Sequence, residues 1–201
     1  MTLLSILIPT LTRRKETFIK LKTEIEKQSL PFKDNIEIIE LEDEGELTIG
    51  RKRNLLYEMA KGKYSVQWDD DDWIHENTIE LIMNALDLNV DCITFDEYDL
   101  VNSKFYKTNY SLKNEYEVYD KNGYGILKAP YPKCVIKTEL ARKIKFNENI
   151  KYAEDYHWSV QMKHILKSEY HIDEFIYIYS NLANENANVK IRYSDNKNKI
   201  I

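Results

Sequence analysis

Four consecutive aspartates, Asp69 to Asp72, follow directly on the apolar run Tyr64-Ser65-Val66-Gln67-Trp68. A helical pattern of Ile79, Leu81, Ile82, Ala85 and Leu86 begins soon after them. A buried strand that stops at acids and then gives way to a helix belongs to an open α/β sheet, where ligands bind outside the carboxyl ends of parallel strands. Like charges this close repel and raise one another's pKa. A hard divalent cation such as Mg²⁺ or Mn²⁺, held by one or two carboxylates and a substrate phosphate, relieves that repulsion. The local expectation is a metal–diphosphate site. Acid runs are as a rule solvated loops, but the preceding strand and the flanking Trp68 and Trp73 argue against that here. A calcium loop of the EF-hand type fails on spacing, because Trp73 and Ile74 occupy the fifth and sixth positions counted from Asp69.

The chain of 201 residues suits one domain and is long enough to bury a core. Its net charge of −5 argues against a nonspecific nucleic-acid binder. Cys92 and Cys134, its two cysteines, both lie in apolar runs. Buried free thiols in a reducing compartment are expected rather than a disulfide scaffold. The apolar run Leu3 to Ile8 is too short for a secretory signal, and nothing approaches the roughly 18 apolar residues of a membrane span. A soluble, cytoplasmic protein is expected.

Along the chain, Leu3–Ile8 reads as a buried strand ended by Pro9-Thr10, followed by a helix from about Arg13 to Gln28 with Phe18, Leu21 and Ile25 on one face. A second strand, Ile36–Leu41, runs into the acidic loop Glu42-Asp43-Glu44-Gly45-Glu46. Thr48 is placed to cap a helix carrying Leu55, Leu56 and Met59, and the third strand is Tyr64–Trp68. A helix from about Asn77 to Leu88 and a fourth strand, Asp91–Phe95, complete an alternation that implies right-handed crossovers and a mostly parallel sheet. Beyond Phe95, residues 96–128 read as antiparallel strands and loops. A strand Lys133–Ile136, a short helix capped by Thr138, a helix from about Ala153 to Lys167, a last strand Glu174–Tyr179 and a polar, mobile tail from Asn184 follow. The chain thus divides into a nucleotide-binding half, about residues 1–95, and a more irregular half, about 96–201, within a single domain.

Three further groups carry chemistry. Gly50-Arg51-Lys52-Arg53-Asn54 places cations at a helix N-terminus, where anions bind and guanidinium groups grip phosphate bidentately. Glu42-Asp43, at the tip of the second strand, could accept hydrogen bonds from a base or ribose. Glu154-Asp155 opens the late helix, where acids also favour the helix dipole. Each group alone also reads as an ordinary solvated turn or loop.

Together these segments resemble the glycosyltransferase family 2 enzymes of GT-A fold. The resemblance rests on Ser5-Ile6-Leu7-Ile8-Pro9-Thr10, on Ile49-Gly50-Arg51-Lys52-Arg53-Asn54, on the run from Ala60 through Gly62 and Tyr64 to Asp69-Asp70-Asp71-Asp72-Trp73, and on Ala153-Glu154-Asp155-Tyr156-His157-Trp158. Their order and spacing match over roughly residues 3–167. The resemblance implies a GT-A, Rossmann-like fold with helices on both faces of the sheet and a smaller acceptor-side half. It implies a metal-dependent, inverting and non-processive enzyme that moves a sugar from a nucleotide-sugar, most commonly a UDP-sugar, to an acceptor hydroxyl. A glycan, a protein or a modified DNA base would each suit a soluble acid-lined pocket as the acceptor.

By the same resemblance Asp69 and Asp71 fill the Asp-x-Asp positions, Asp69 near the ribose and Asp71 on the Mn²⁺ or Mg²⁺, with Asp69 as a further metal ligand and Asp70 or Asp72 able to share these tasks. Pro9, Thr10 and Arg13 match the loop against the nucleotide, Glu42 or Asp43 the acid that reads the base, and Arg53 and Asn54 the Arg-Asn pair beside it. Asp155 matches the catalytic base, with Glu154 orienting or contacting the acceptor. Inverting transfer needs such a base to take the acceptor proton and a positive charge on the leaving diphosphate. Trp68, Trp73 and Tyr131 are candidates to stack on sugar faces, although aromatics are more often core. The chain has no Gln-x-x-Arg-Trp segment, which argues against a processive synthase. Its short stretch after the last strand leads to the expectation of a small acceptor, or of one docked by a partner. The four histidines, at 75, 157, 164 and 171, show no zinc spacing, and His157 reads as a helix-surface residue. A non-catalytic sugar-nucleotide-binding module and a nucleotidyltransferase remain as alternatives, the latter opposed by the lack of glycine in Thr10-Leu11-Thr12-Arg13-Arg14.

Overall fold

The computed structural model describes residues 1–101, 104–115, 117–119 and 125–181. The tail expected to be mobile from Asn184 lies outside them. In chain order the elements are β1 (Leu4–Leu11), α1 (Lys15–Ser29), β2 (Ile36–Asp43), α2 (Ile49–Met59), β3 (Tyr64–Gln67), β4 (Trp73–Ile74), α3 (Thr78–Leu86), β5 (Cys92–Val101), β6 (Lys104–Tyr110), β7 (Glu117–Tyr119), β8 (Ile126–Lys128), β9 (Val135–Lys137), α4 (Thr138–Ala141), α5 (Glu154–Ile165) and β10 (Glu169–Asn181).

All ten strands among the described residues join one sheet with the path β2-β1-β3-β9-β5-β6-β8-β7, and β10 lies on the other edge of β5 and carries β4. β1 pairs in parallel with β2 and β3, and β10 in parallel with β5. β9 runs antiparallel between β3 and β5, which leaves those two parallel to each other. The chain moves one way from β1 to β2 and back past β1 to β3. Right-handed crossovers therefore put α1 and α2 on opposite faces. α1 packs with α3, and α2 with α5. Strands covered on both faces read as continuous apolar runs, and Leu4, Ile6, Leu7 and Ile8 of β1 are all fully buried. The sheet runs through both expected halves of the chain, and position 95 falls inside β5.

Several boundaries differ from the sequence expectation for physical reasons. β1 does not stop at Pro9 but runs to Leu11 beside β2. Leu7 C=O faces β3 and accepts Trp68 N–H, the last such bond on that side. Pro9, two residues on, has its nitrogen toward the same edge, where no ladder bond is lost. A 3-10 turn, Thr12–Arg14, precedes α1, so the helix begins at Lys15 rather than Arg13. β5 and β10 are longer than expected because each supplies the other's ladder over Cys92–Val101 and Glu169–Asn181. Thr48 caps α2 as expected, accepting Arg51 N–H. Thr138 does not cap α4. It is the first helical residue, and its hydroxyl donates to Gly62 C=O at 2.7 Å.

Candidate active site

The strand order reverses between β1 and β3, and the crevice of an open α/β sheet lies at the carboxyl ends of the strands at such a point. Thr10 at the end of β1 meets Asp70 just past β3 there, its hydroxyl 2.7 Å from Asp70 Oδ2. Asp70 Oδ1 accepts from Arg14 Nη1 at 2.8 Å, and the residue is 2% exposed. Asp72 is equally enclosed. It accepts the Tyr177 hydroxyl at 2.7 Å and Ser180 N–H at 2.9 Å, with Lys133 Nζ at 3.9 Å. Burial and neighbouring Asp69 push the Asp72 carboxyl well up, against the pull of Lys133.

The odd-numbered acids stay open. The Asp71 side chain is 39% exposed and that of Asp69 is 30% exposed. Burial, then Asp69 and Asp70, hold the Asp71 carboxyl above its ordinary range although Arg14 is 3.1 Å away. Burial acts to raise Asp69 too, but Arg53, Lys133 and Arg14 outweigh it and keep the carboxyl low. A turn closed by Asp72 N–H on Asp69 C=O alternates the four side chains between crevice and interior.

α2 delivers two cations and an amide whose roles diverge. Lys52 is buried, ion-paired with Asp43, and donates to Thr10 C=O. Asp43 also accepts Leu47 and Gly45 N–H, which together with Lys52 hold its carboxyl down against burial. Arg53 is buried with Nη2 2.8 Å from Asp69 Oδ1 and Nε 3.3 Å from Glu154 Oε1. Asn54 faces away from the crevice. Its amide donates to Phe146 C=O and Glu148 Oε1, and its carbonyl accepts Phe146 N–H, which clamps the loop leading to α5. At the start of α5, Glu154 is buried, and burial with Asp155 beside it raises its carboxyl despite Arg53. Asp155 is half-buried and accepts Tyr156 N–H. The residue before them, Ala153, is held in the left-handed region at φ 62°.

Of the residues expected at the site, Thr10, Asp70 and Asp71 gather around Arg14, and Asp69 and Glu154 around Arg53, with Asp155 next to Glu154 in the chain. Arg13 is exposed, and Arg14 reaches the acids instead, because the 3-10 turn rotates the chain between β1 and α1. Pro9 is buried within β1, and Glu42 is exposed at the end of β2. Trp68 and Tyr131 are core rather than sugar platforms, packed against Tyr177 and Tyr110 respectively; Trp73 is partly open.

Two participants, and one group outside the crevice, had no local signal. Lys133 donates to Glu97 at 2.7 Å and lies over the rings of Tyr177 and Tyr179. Tyr177 also accepts Asp69 N–H at 3.3 Å. The group outside the crevice is one distant in sequence, in which potential ligand atoms of Asp96, His171 and Asp173 lie within 4.8 Å of one another. His157 is on the surface as expected, and Cys92 and Cys134 are buried free thiols. No helix among the described residues is long and apolar enough to cross a membrane.

No family model matches the chain, and no curated protein matches it in sequence. Solved structures do match in fold. S. aureus TarS 1-349 superposes with a TM-score of 0.63 at 17% identity, over 90% of this chain and 61% of that one. The same protein in complex with UDP gives 0.63 at 19% identity over 88% and 60%, and in complex with UDP-GlcNAc 0.64 at 18% over 88% and 58%. The chain therefore spans about 60% of the length of TarS 1-349. Its fold is the mixed α/β GT-A fold of glycosyltransferases.

Proposed function

We propose that the chain is a metal-dependent, inverting glycosyltransferase that moves a sugar from a UDP-sugar to an acceptor hydroxyl. The observation that carries this reading is the division among the four aspartates, with Asp70 and Asp72 bonded in the interior and Asp69 and Asp71 open to the crevice. The open pair offers only carboxylate oxygens, and burial with neighbouring acids holds Asp71 above its ordinary range, a lack of positive charge that a hard divalent cation corrects. Mn²⁺ or Mg²⁺ bound there would hold the charge that develops on the leaving diphosphate.

The chain's own groups have the remaining tasks. Arg14 and Arg53 border the open acids and add fixed positive charge for a diphosphate. In this reading Asp69 takes the ribose, and Asp70 acts by fixing Arg14 and Thr10. Pro9 shapes the end of β1, and exposed Glu42 is better placed to meet a base than Asp43, which Lys52 occupies. Asp155 accepts the acceptor's proton as its oxygen attacks. Glu154, tied to Arg53, links the donor acids to that base. Asn54 shapes the loop before α5. That TarS has been seen with UDP and UDP-GlcNAc supports a uridine nucleotide. Buried free thiols fit the reducing cytoplasm.

The test is nucleotide release from UDP-, GDP- and dTDP-sugars with Mn²⁺, Mg²⁺ or EDTA. Metal-dependent release from one donor, lost in Asp71→Asn and in Asp155→Asn when an acceptor is present, is the expected result. Donor binding without turnover across an acceptor panel would favour the non-catalytic module, and no donor binding would overturn the reading.

A further inference from the structure

On the far side of β5 from the crevice network lies a second group of ligand atoms. Asp96 and Glu97 are successive strand residues and point to opposite faces; Glu97 joins Lys133 beside Asp72, whereas Asp96 meets His171 of β10. Thr94 and His171 are register partners, and the strand pairing is then interrupted between Ile172 and Phe175, so that Asp173 sits in a bulge opposite Phe95 and Asp96. Bulges re-aim side chains and gather at functional sites.

The imidazole is fixed by groups outside the cluster. The Thr94 hydroxyl donates to Glu169 Oε2 at 3.1 Å, and Glu169 is itself held by the Ser111 hydroxyl and by Leu112 N–H. The Thr94 oxygen, 3.1 Å from His171 Nδ1, is then left to accept the ring proton. The Nε2 lone pair consequently faces the Asn109 amide nitrogen at 3.3 Å, whose N–H it accepts, and Asp96 Oδ1 at 3.4 Å beside it. A charge-assisted hydrogen bond would be shorter, about 2.7–2.9 Å. The spacing instead equals the edge of a tetrahedron whose metal–ligand bonds are about 2.1 Å, about 3.4 Å. Asn109, oriented by Asn114, donates to Asp96 Oδ1 at 2.6 Å, the kind of outer partner that orients a ligating carboxylate. Asp173 is exposed, so its carboxylate is free to turn in, and its oxygen already lies within 4.8 Å of the other two ligand atoms.

We propose that Asp96, His171 and Asp173 bind a divalent ion of the Zn²⁺ class, which fastens the bulged segment of β10 to β5. One imidazole with two carboxylates suits such a borderline ion better than Mg²⁺ or Ca²⁺. The site is independent of the donor reading, because none of its ligands belongs to the crevice.

The experiment is a Zn²⁺ titration of the metal-free full chain, followed through the ring nitrogens of its four histidines by NMR. His171 Nε2 should shift to saturation at one equivalent while Nδ1 keeps its proton, and Asp71→Asn should leave that response intact. Thr94→Val, which removes the orienting oxygen, should weaken Zn²⁺ binding by about 10–100-fold. An unchanged His171 ring at excess Zn²⁺, or a His171→Ala variant with undiminished Zn²⁺ stoichiometry, would overturn the site.

Discussion

Arg53 Nη2 donates to Asp69 Oδ1 across 2.8 Å, from a side chain that is 7% exposed. The same guanidinium reaches Glu154 through Nε and Gln67 through Nη1. One planar cation therefore connects the acids after β3 with those that open α5, a geometry an ammonium group cannot copy.

Removing that cation strands two buried or half-buried carboxylates. Arg53→Met should cost about 3–5 kcal/mol, as for one partner lost from a buried ion pair. Arg53→Lys should fold better yet release nucleotide from the donor much more slowly. Urea unfolding and donor hydrolysis measured on both variants check this, and a lysine variant with full turnover would show that the fork is dispensable.

The hydroxyl of Tyr177 serves Asp72 and Asp69 together, as donor to one and acceptor from the backbone of the other. Tyr177→Phe keeps the ring packing and leaves a buried carboxylate short of a partner. A loss of about 1–3 kcal/mol is expected. It should be accompanied by weaker metal-dependent donor binding, because the turn carrying Asp69 and Asp71 loses its anchor. Chemical denaturation and donor titration give the two readouts.

Asp99 is buried and sits beside Glu97, and these two causes push its carboxyl up to about 7. In the unfolded chain an aspartate titrates near its ordinary value, about 3.9. Between those values the folded protein holds the extra proton. This contribution to stability is therefore full below the unfolded pKa and declines as pH rises toward 7, at most by about 1.4 kcal/mol per pH unit. Asp99→Asn imitates the protonated acid and should flatten that part of the stability–pH curve. Melting curves from pH 4 to 8 for both proteins test it; identical slopes would refute the assignment.

Gly50 passes beneath the loop that Asn54 clamps. A Cβ there would lie 2.6 Å from Asn147 O, a backbone atom. Gly50→Ala should destabilise by about 1–3 kcal/mol through overpacking. It should also slow transfer to acceptor more than donor hydrolysis, because the displaced loop leads into Glu154 and Asp155. Comparing the two rates separates this from a uniform loss of folded protein.

Much of the architecture was legible in local signals. Alternating strand and helix patterns marked the crossovers, and Thr48 marked the start of α2 because a cap is a bond between neighbours. Pro9 and Thr138 misled for the same reason. Their local preferences are real, but the end of β3 beside β1 and the carbonyl of Gly62 decided their places.

Periodicity and turn chemistry act over a few residues, so the order of the elements and the placing of four acids at a strand's end were written in the chain itself. It could not say which acids face outward, because four identical side chains in a row carry identical local information. That choice was made by Thr10 and Arg14 from one direction and by Tyr177 and Ser180 from the other. Only tertiary structure brings those groups close enough to compensate the burial of Asp70 and Asp72 and leave Asp69 and Asp71 in the open. The gathering of Asp96, His171 and Asp173 has the same origin, in the pairing of two strands that lie far apart in the chain.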